Sequence, residues 1–105
     1  MIEMTETADG LSLRIRISGR FDFNSQCAFQ EVTRKMDAAE VPKLVSIDLT
    51  DTSFMDSAGL GMLLSIKDKA LRIELVGATD QVRSTLERAN FHRLFPVAGG
   101  LGPAA

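Results

Sequence analysis

Apolar and polar residues alternate along three short stretches of the chain, as in β-strands that bury one face. The clearest stretch is "LSLRIRIS" (11–18), and "LVSIDLT" (44–50) and "LRIELVG" (71–77) follow it. A weaker strand, "MIEMTET" (1–7), comes before them and is joined to the first by "ADG", whose Asp-Gly pair favours a tight hairpin turn. We therefore expect the first two strands to pair antiparallel. The inward positions of the three alternating strands are Leu11, Leu13, Ile15, Ile17, Val45, Ile47, Leu49, Leu71, Ile73 and Leu75.

Between these strands the apolar residues recur at helical spacing. The first predicted helix follows "GRFD", has Asp22 or Asn24 as its N-cap and ends before Pro42. The second extends from about Ser57 to Ala70, and the third begins at Thr79 with Asp80. The inward residues of the first and third helices are predicted to be Phe29, Val32, Met36, Ala39, Val82, Leu86 and Ala89.

The order of these elements predicts a single α/β domain. Strand-helix-strand units require parallel pairing with right-handed crossovers, whereas the hairpin is antiparallel. We expect a mixed sheet of four to five strands, with about three to four helices packed mainly on one face. Residues 91–97 ("FHRLFPV") are a candidate edge strand. The domain is predicted to span residues 1–97, and residues 98–105 ("AGGLGPAA") to form a flexible C-terminal tail.

Composition and charge argue against several classes of function. The formal net charge is -2, and the twelve Lys and Arg residues are scattered along the chain, so we expect no nucleic-acid binding. No apolar run approaches the roughly 20 residues that a membrane span needs, and the acidic start lacks the pattern of a secretory signal. We therefore expect a cytoplasmic protein with no membrane insertion.

The chain has one cysteine, Cys27, and one histidine, His92. A Cys/His metal cage cannot be built from them, and a Ser-His-Asp triad would depend wholly on His92. We expect no catalytic site, no metal and no cofactor, and hence a protein that is not an enzyme. The simplest interpretation makes Cys27 a small core thiol and places His92 at the end of a surface helix.

The junction "SFMDSAGLGMLL" (53–64) places small polar residues between a buried strand and a buried helix. Asp and Ser are favoured N-caps that contribute about 1 kcal/mol, so helix capping alone is one interpretation of Asp56 and Ser57. Gly59 and Gly61 weaken it, because a glycine inside a helix costs up to about 1 kcal/mol, and close approach by another chain would explain them. The apolar residues here are too many for one inward stripe, which favours a partner interface over a small-molecule pocket.

Two motifs in this order of elements resemble the STAS domain family, and within it the stand-alone bacterial anti-sigma factor antagonists. One is "SGRFD" (18–22), at the entry to the first helix; the other is "DLTDTSFMDSAGLGMLL" (48–64). The resemblance extends from about Glu3 to Val97. It implies an α/β STAS fold and a protein that is a kinase substrate.

The resemblance also implies a partner switch. In the family, the serine of the Asp-Ser pair is phosphorylated by an anti-sigma factor that is also a serine kinase with a histidine-kinase-like, ATP-binding fold, and a serine phosphatase reverses this. Ser57 is the matching acceptor, and Ala58 stands where the family often has Ser or Thr. The unphosphorylated protein would hold the anti-sigma factor and so release the sigma factor. The residues predicted to contact the partner are Asp22, Ser53, Phe54, Met55, Asp56, Ser57, Ala58, Gly59, Leu60 and Gly61.

Other functions remain open from the sequence. STAS folds also serve as accessory subunits of lipid-transport ABC systems, where the helix surface docks on an ATPase. A switch that acts on a target other than a sigma factor is compatible with the same motifs. A small-ligand or nucleotide sensor has no positive support, because the chain has no Walker-type loop, Trp or Tyr.

Overall fold

The structure is a computed structural model that describes residues 1–7, 10–38, 42–95 and 97–98. Short 3₁₀ turns at Phe23–Ser25 and Phe91–Arg93 accompany the strands and helices. In chain order the elements are β1 (Ile2–Glu6), β2 (Ser12–Ile17), β3 (Gly19–Phe21), α1 (Gln26–Ala38), β4 (Leu44–Asp48), β5 (Thr52–Met55), α2 (Ser57–Ser65), β6 (Arg72–Val76), α3 (Asp80–Arg88) and β7 (Val97–Ala98).

The main sheet has five strands in the order β1-β2-β4-β6-β7. The β1–β2 pair is antiparallel, and the other pairs are parallel. The predicted mixed sheet in an α/β domain is therefore confirmed, and so is the antiparallel pairing of the first two strands. The hairpin turn itself includes residues 8 and 9, which lie outside the described residues.

One face of the main sheet forms the hydrophobic core with the three helices. Inward residues of β2, β4 and β6 belong to the same buried cluster as Phe29 of α1, Leu63 of α2 and Leu86 of α3. The opposite face is polar: Arg14 donates to Asp48 at 2.6 Å, and the Ser46 hydroxyl donates to Glu74 at 3.0 Å. Alternation along the strands thus places apolar residues inward and charged residues outward.

A second, two-stranded parallel sheet pairs β3 with β5 and was not predicted from the sequence. The segment between β4 and α2 is rich in polar residues, yet Thr52 and Met55 within it are buried. The Thr52 hydroxyl donates to the Ile17 carbonyl at 2.7 Å, and the Gly19 N–H donates to the Asp51 carbonyl at 2.9 Å. These bonds attach the small sheet to the end of β2.

Several elements are shorter in the structure than the sequence predicted. Helix α2 ends at Ser65 instead of Ala70, because the chain continues in turns. Leu11 and Leu71 are exposed rather than inward, since each precedes the first residue of its strand. The predicted edge strand over 91–97 begins as a 3₁₀ turn (Phe91–Arg93), and among its described residues Val97 alone belongs to a strand, β7, which pairs with β6.

Cys27 is exposed on α1 and is not the core thiol that its hydrophobic character suggested. It lies in the first turn of α1, which contributes Phe29, Val32 and Met36 to the core. Ala39, the His92 side chain and residues 99–105 of the predicted tail lie outside what the structure describes.

Candidate functional site

The candidate site lies where the parallel strands β3 and β5 end, because each is followed directly by a helix with an aspartate N-cap. Asp22 accepts from the Asn24 N–H at 3.0 Å, and its own N–H donates to the Ser25 hydroxyl at 3.2 Å in a capping box. Asp56 accepts from the Gly59 N–H at 3.1 Å at the start of α2. Since Phe21 pairs with Met55, the two caps occupy corresponding positions on neighbouring strands.

Ser57 is the first residue of α2 and is exposed. The positive end of a helix dipole, with its unpaired N–H groups, lies at this position. Asp56 provides the capping carboxylate, so capping does not require the Ser57 hydroxyl. The Ser57 hydroxyl is therefore free of the cap and open to solvent and to another molecule.

Gly59 is explained by the fold itself. A Cβ at this position would lie 2.6 Å from the Phe21 carbonyl oxygen and 2.9 Å from the Met55 side chain. Helix α2 can approach β3 this closely only because residue 59 has no side chain. Close approach by another chain, the explanation drawn from the sequence, is therefore not needed at Gly59.

Gly61 is different, because a Cβ there would meet nothing within 4 Å. It opens onto a groove of about 610 Å³ between α1 and α2. The groove begins one residue beyond Ser57, at Ala58, and runs along the exposed side of α2. Its lining includes Phe29, Thr33, Ala58, Gly61, Met62 and Ser65.

An exposed aromatic residue lies in the 3₁₀ turn that contacts α2, and the sequence analysis missed it. Phe23 in the 3₁₀ turn is 67% exposed, and that turn contacts α2. Nearby, the Arg20 guanidinium lies 4.1 Å from the ring centroid of Phe54 and donates to Asp22 at 3.1 Å. A large exposed apolar side chain directly after a capping aspartate was the signal available in the sequence.

The other predicted contact residues differ in their exposure. Ser53 is exposed, and Phe54, Ala58 and Leu60 are half-buried, so a partner can reach them. Met55 and Gly59 are buried and support the surface from below, while Gly61 is exposed in the groove.

Asp48 at the end of β4 is held ionised by its neighbours. Burial raises the pKa of this carboxyl, but hydrogen bonds from Thr50 and Arg14 outweigh it and lower the pKa from 3.8 to about 2. The Thr50 hydroxyl and N–H donate to it at 2.6 and 3.0 Å. The carboxylate thereby fixes the start of the segment that leads from β4 to β5.

The part of the chain that the structure describes offers neither a metal-binding cluster nor a membrane-spanning helix. No group of three or more His, Cys, Asp or Glu residues could hold a metal ion there. Within the same residues, no helix is long and apolar enough to cross a membrane.

Comparison with known proteins gives one family. The model of the STAS domain matches residues 3–103. A STAS-domain containing protein of Pseudomonas aeruginosa (strain UCBPP-PA14) is 35% identical over a 96-residue alignment that covers 88% of this chain and 93% of that protein.

Solved structures of anti-sigma factor antagonists share the fold. One from Mycobacterium paratuberculosis has a TM-score of 0.82 at 18% identity, covering 96% of this chain and 86% of that one. SpoIIAA in its unphosphorylated form gives 0.71 at 16% identity, with 95% and 89% covered. The phosphorylated form of the Bacillus cell fate determinant SpoIIAA gives 0.68 at 19% identity, with 95% and 93% covered.

Proposed function

The chain belongs to the STAS domain family, and we propose that it is an anti-sigma factor antagonist whose binding is switched off by phosphorylation of Ser57. The observation that carries the proposal is the exposed Ser57 hydroxyl at the first position of α2, beside a capping aspartate and an open groove. Fold similarity to SpoIIAA, which has been solved with and without phosphate, supports the same role.

The unphosphorylated protein binds an anti-sigma factor that is also a serine kinase, and so releases the sigma factor. The contact surface is centred on Ser57 and includes Phe23, Phe54 and the groove at Gly61. An aromatic side chain that is exposed, such as Phe23, or partly exposed, such as Phe54, beside a concave apolar surface is typical of the centre of a protein interface. The kinase supplies ATP and the catalytic groups, and this chain supplies the hydroxyl.

Phosphorylation is tolerated by the domain but changes its surface. A phosphate at the N-terminus of α2 is favoured by the helix dipole and the free N–H groups, so the fold persists. It also adds about -1.5 to -2 charges next to Asp56 and close to the Asp22 cap. The phosphate and the Asp56 carboxylate repel an acidic partner, and against an apolar partner they would have to lose their hydration, which costs several kcal/mol in an interface. Binding is therefore lost until a phosphatase removes the phosphate.

Mass spectrometry of the tagged protein from its own cells, growing and stressed, tests the acceptor. We expect one phosphate on Ser57, with an occupancy that changes with condition. The Ser57→Ala variant should carry none, whereas Ser53→Ala, which removes an exposed hydroxyl four residues earlier, should carry the same phosphate as the wild type.

Partner capture in the same cells tests the switch. Ser57→Ala should retain a soluble ATP-binding protein kinase, and Ser57→Asp should release it. If phosphate is absent in every condition and a membrane-transport ATPase is captured instead, the protein is a constitutive docking subunit and Ser57 is only a helix residue. If Ser57→Asp binds the kinase as tightly as the wild type, charge is not the basis of the switch.

A further inference from the structure

The backbone just before the acceptor is held by one side chain from another helix. The Met55 N–H donates to Oε1 of Gln81 at 2.9 Å, and Nε2 of Gln81 donates to the Met55 carbonyl at 2.9 Å. Nε2 also donates to the Thr85 hydroxyl at 2.8 Å, one turn further along α3. Both polar atoms of the Gln81 side-chain amide, Oε1 and Nε2, therefore make hydrogen bonds.

The hydrogen bonds between Gln81 and Met55 lie where a second neighbouring strand would pair with β5. Among the strands in the described part of the chain, β5 pairs with β3 and no other, so its opposite side is a sheet edge. Both polar groups of one strand residue point to the same edge, and the side-chain amide of Gln81 presents the donor and acceptor that a neighbouring peptide would offer there. The pairing is made at Met55, the last residue of β5, and Asp56 and Ser57 follow immediately.

The start of α3 has an unusual backbone that accompanies this contact. Asp80 has φ of 51°, a left-handed conformation that is uncommon for a residue other than glycine. Thr79 precedes it as the N-cap and makes no side-chain capping bond. The left-handed residue Asp80 thus directly precedes Gln81. Helix α3 also lacks the side-chain N-cap hydrogen bond that ordinarily fixes the first turn of a helix.

We propose that Gln81 is a positioning residue for the acceptor: by holding both polar groups of Met55, it fixes the direction in which the chain enters α2 and so the orientation of the Ser57 hydroxyl. This inference rests on the proposed function, because it concerns the presentation of Ser57 to the kinase. Gln81 lies on a different helix from the acceptor and itself takes no part in phosphoryl transfer.

Two substitutions separate the hydrogen bonds from the bulk of the side chain. Gln81→Met keeps a similar length and a good helix former but loses all three bonds. Gln81→Glu keeps an acceptor for the Met55 N–H but, when ionised, cannot donate to the Met55 carbonyl. Arg88→Met, an exposed change in the last turn of the same helix, is the matched control.

Amide hydrogen exchange on the purified protein is the first measurement. We expect the Met55 amide to exchange at least about fivefold faster in Gln81→Met, as for loss of one hydrogen bond, while amides of β2 and β4 keep their rates. Gln81→Glu should retain most of the Met55 protection, and Arg88→Met all of it. Unchanged exchange at Met55 in Gln81→Met would show that the amide does not hold the strand, and would overturn the proposal.

The rate of phosphate gain on Ser57 in the native cells is the second measurement. Gln81→Met should gain phosphate several-fold more slowly than Arg88→Met at equal melting temperature, and Gln81→Glu should be intermediate. Equal rates despite faster Met55 exchange would also overturn the proposal. If the wild type never carries phosphate, the proposed function fails and the role of Gln81 in modification fails with it, whereas the exchange rates still decide whether the clamp exists.

Discussion

At the scale of single residues, two glycines in one helix have opposite roles. Gly59 contacts the Phe21 carbonyl so closely that any side chain must displace the helix, whereas Gly61 faces an open groove. The fold therefore requires a glycine at position 59 for packing. It does not require one at position 61, which lies at an open surface.

Alanine at each position should change stability in opposite directions. We expect Gly59→Ala to lower the free energy of unfolding by roughly 1–3 kcal/mol, because a well-packed contact is overfilled. Gly61→Ala should raise it by up to about 1 kcal/mol, through helix propensity alone. Denaturant unfolding followed by circular dichroism measures both, and equal effects would contradict the assignment.

The sequence offered the capping residues only as alternatives, of which the structure selects Asp22, at the 3₁₀ turn before α1, and Asp56, and it could not distinguish the two glycines. Asp22 and Asp56 are recognisable because an N-cap is a local property of a few adjacent residues. The contact between Gly59 and Phe21, and that between Gln81 and Met55, join segments distant in sequence, and no local pattern encodes them.

At the scale of elements, the small sheet of β3 and β5 carries the site. It is tied to the main sheet through the buried Thr52 hydroxyl, which donates to the Ile17 carbonyl at 2.7 Å. Sequence reasoning missed both strands because they are short and because β5 begins with two hydroxyl residues, which favour turns as readily as strands. Their pairing depends on the preceding strand β2 and on α3, not on their own alternation.

Removing the Thr52 hydroxyl should loosen this sheet selectively. Thr52→Val preserves the shape but leaves the Ile17 carbonyl without that donor, and we expect a loss of about 1–3 kcal/mol in the free energy of unfolding. Thr52→Ser keeps the donor and should lose less. Hydrogen exchange should rise more in β3 and β5 than in β4; a uniform rise over all three strands would contradict a selective attachment.

At the scale of the whole molecule, the fold class followed from alternation because the strands β2, β4 and β6 each bury one face. The direction of the crossovers and the hairpin then left few possible topologies. The alternation also predicted that the outer face of the sheet is polar. It could not predict that Arg14 pairs with Asp48, because that contact depends on the register between β2 and β4.

Acid should destabilise the molecule through Asp48. Its pKa is about 2 in the folded protein and is ordinarily 3.8, so the carboxylate contributes stability that is fully present above about pH 4 and is lost as the pH falls toward 2. The loss amounts to roughly 2 kcal/mol. We expect Asp48→Asn to be less stable than the wild type at pH 7 and to show a flatter stability profile between pH 4 and pH 2.

Denaturant unfolding at several pH values measures this difference. Asp68→Asn, an exposed change in the turn after α2, is the control and should follow the wild-type profile. If the stability of Asp48→Asn falls with pH as steeply as that of the wild type, the acid sensitivity comes from other carboxylates.

The absence of a loop between β5 and α2 has a consequence for how an enzyme could reach Ser57. Met55 is buried, Asp56 is committed to the cap, and Gly59 lies against β3, so Ser57 cannot be drawn out as an extended segment without unfolding the junction. An enzyme that modifies it must dock on the folded domain. Specificity would then reside in a surface assembled from distant parts of the chain, and a short peptide containing Ser57 would be a poor substitute for the protein.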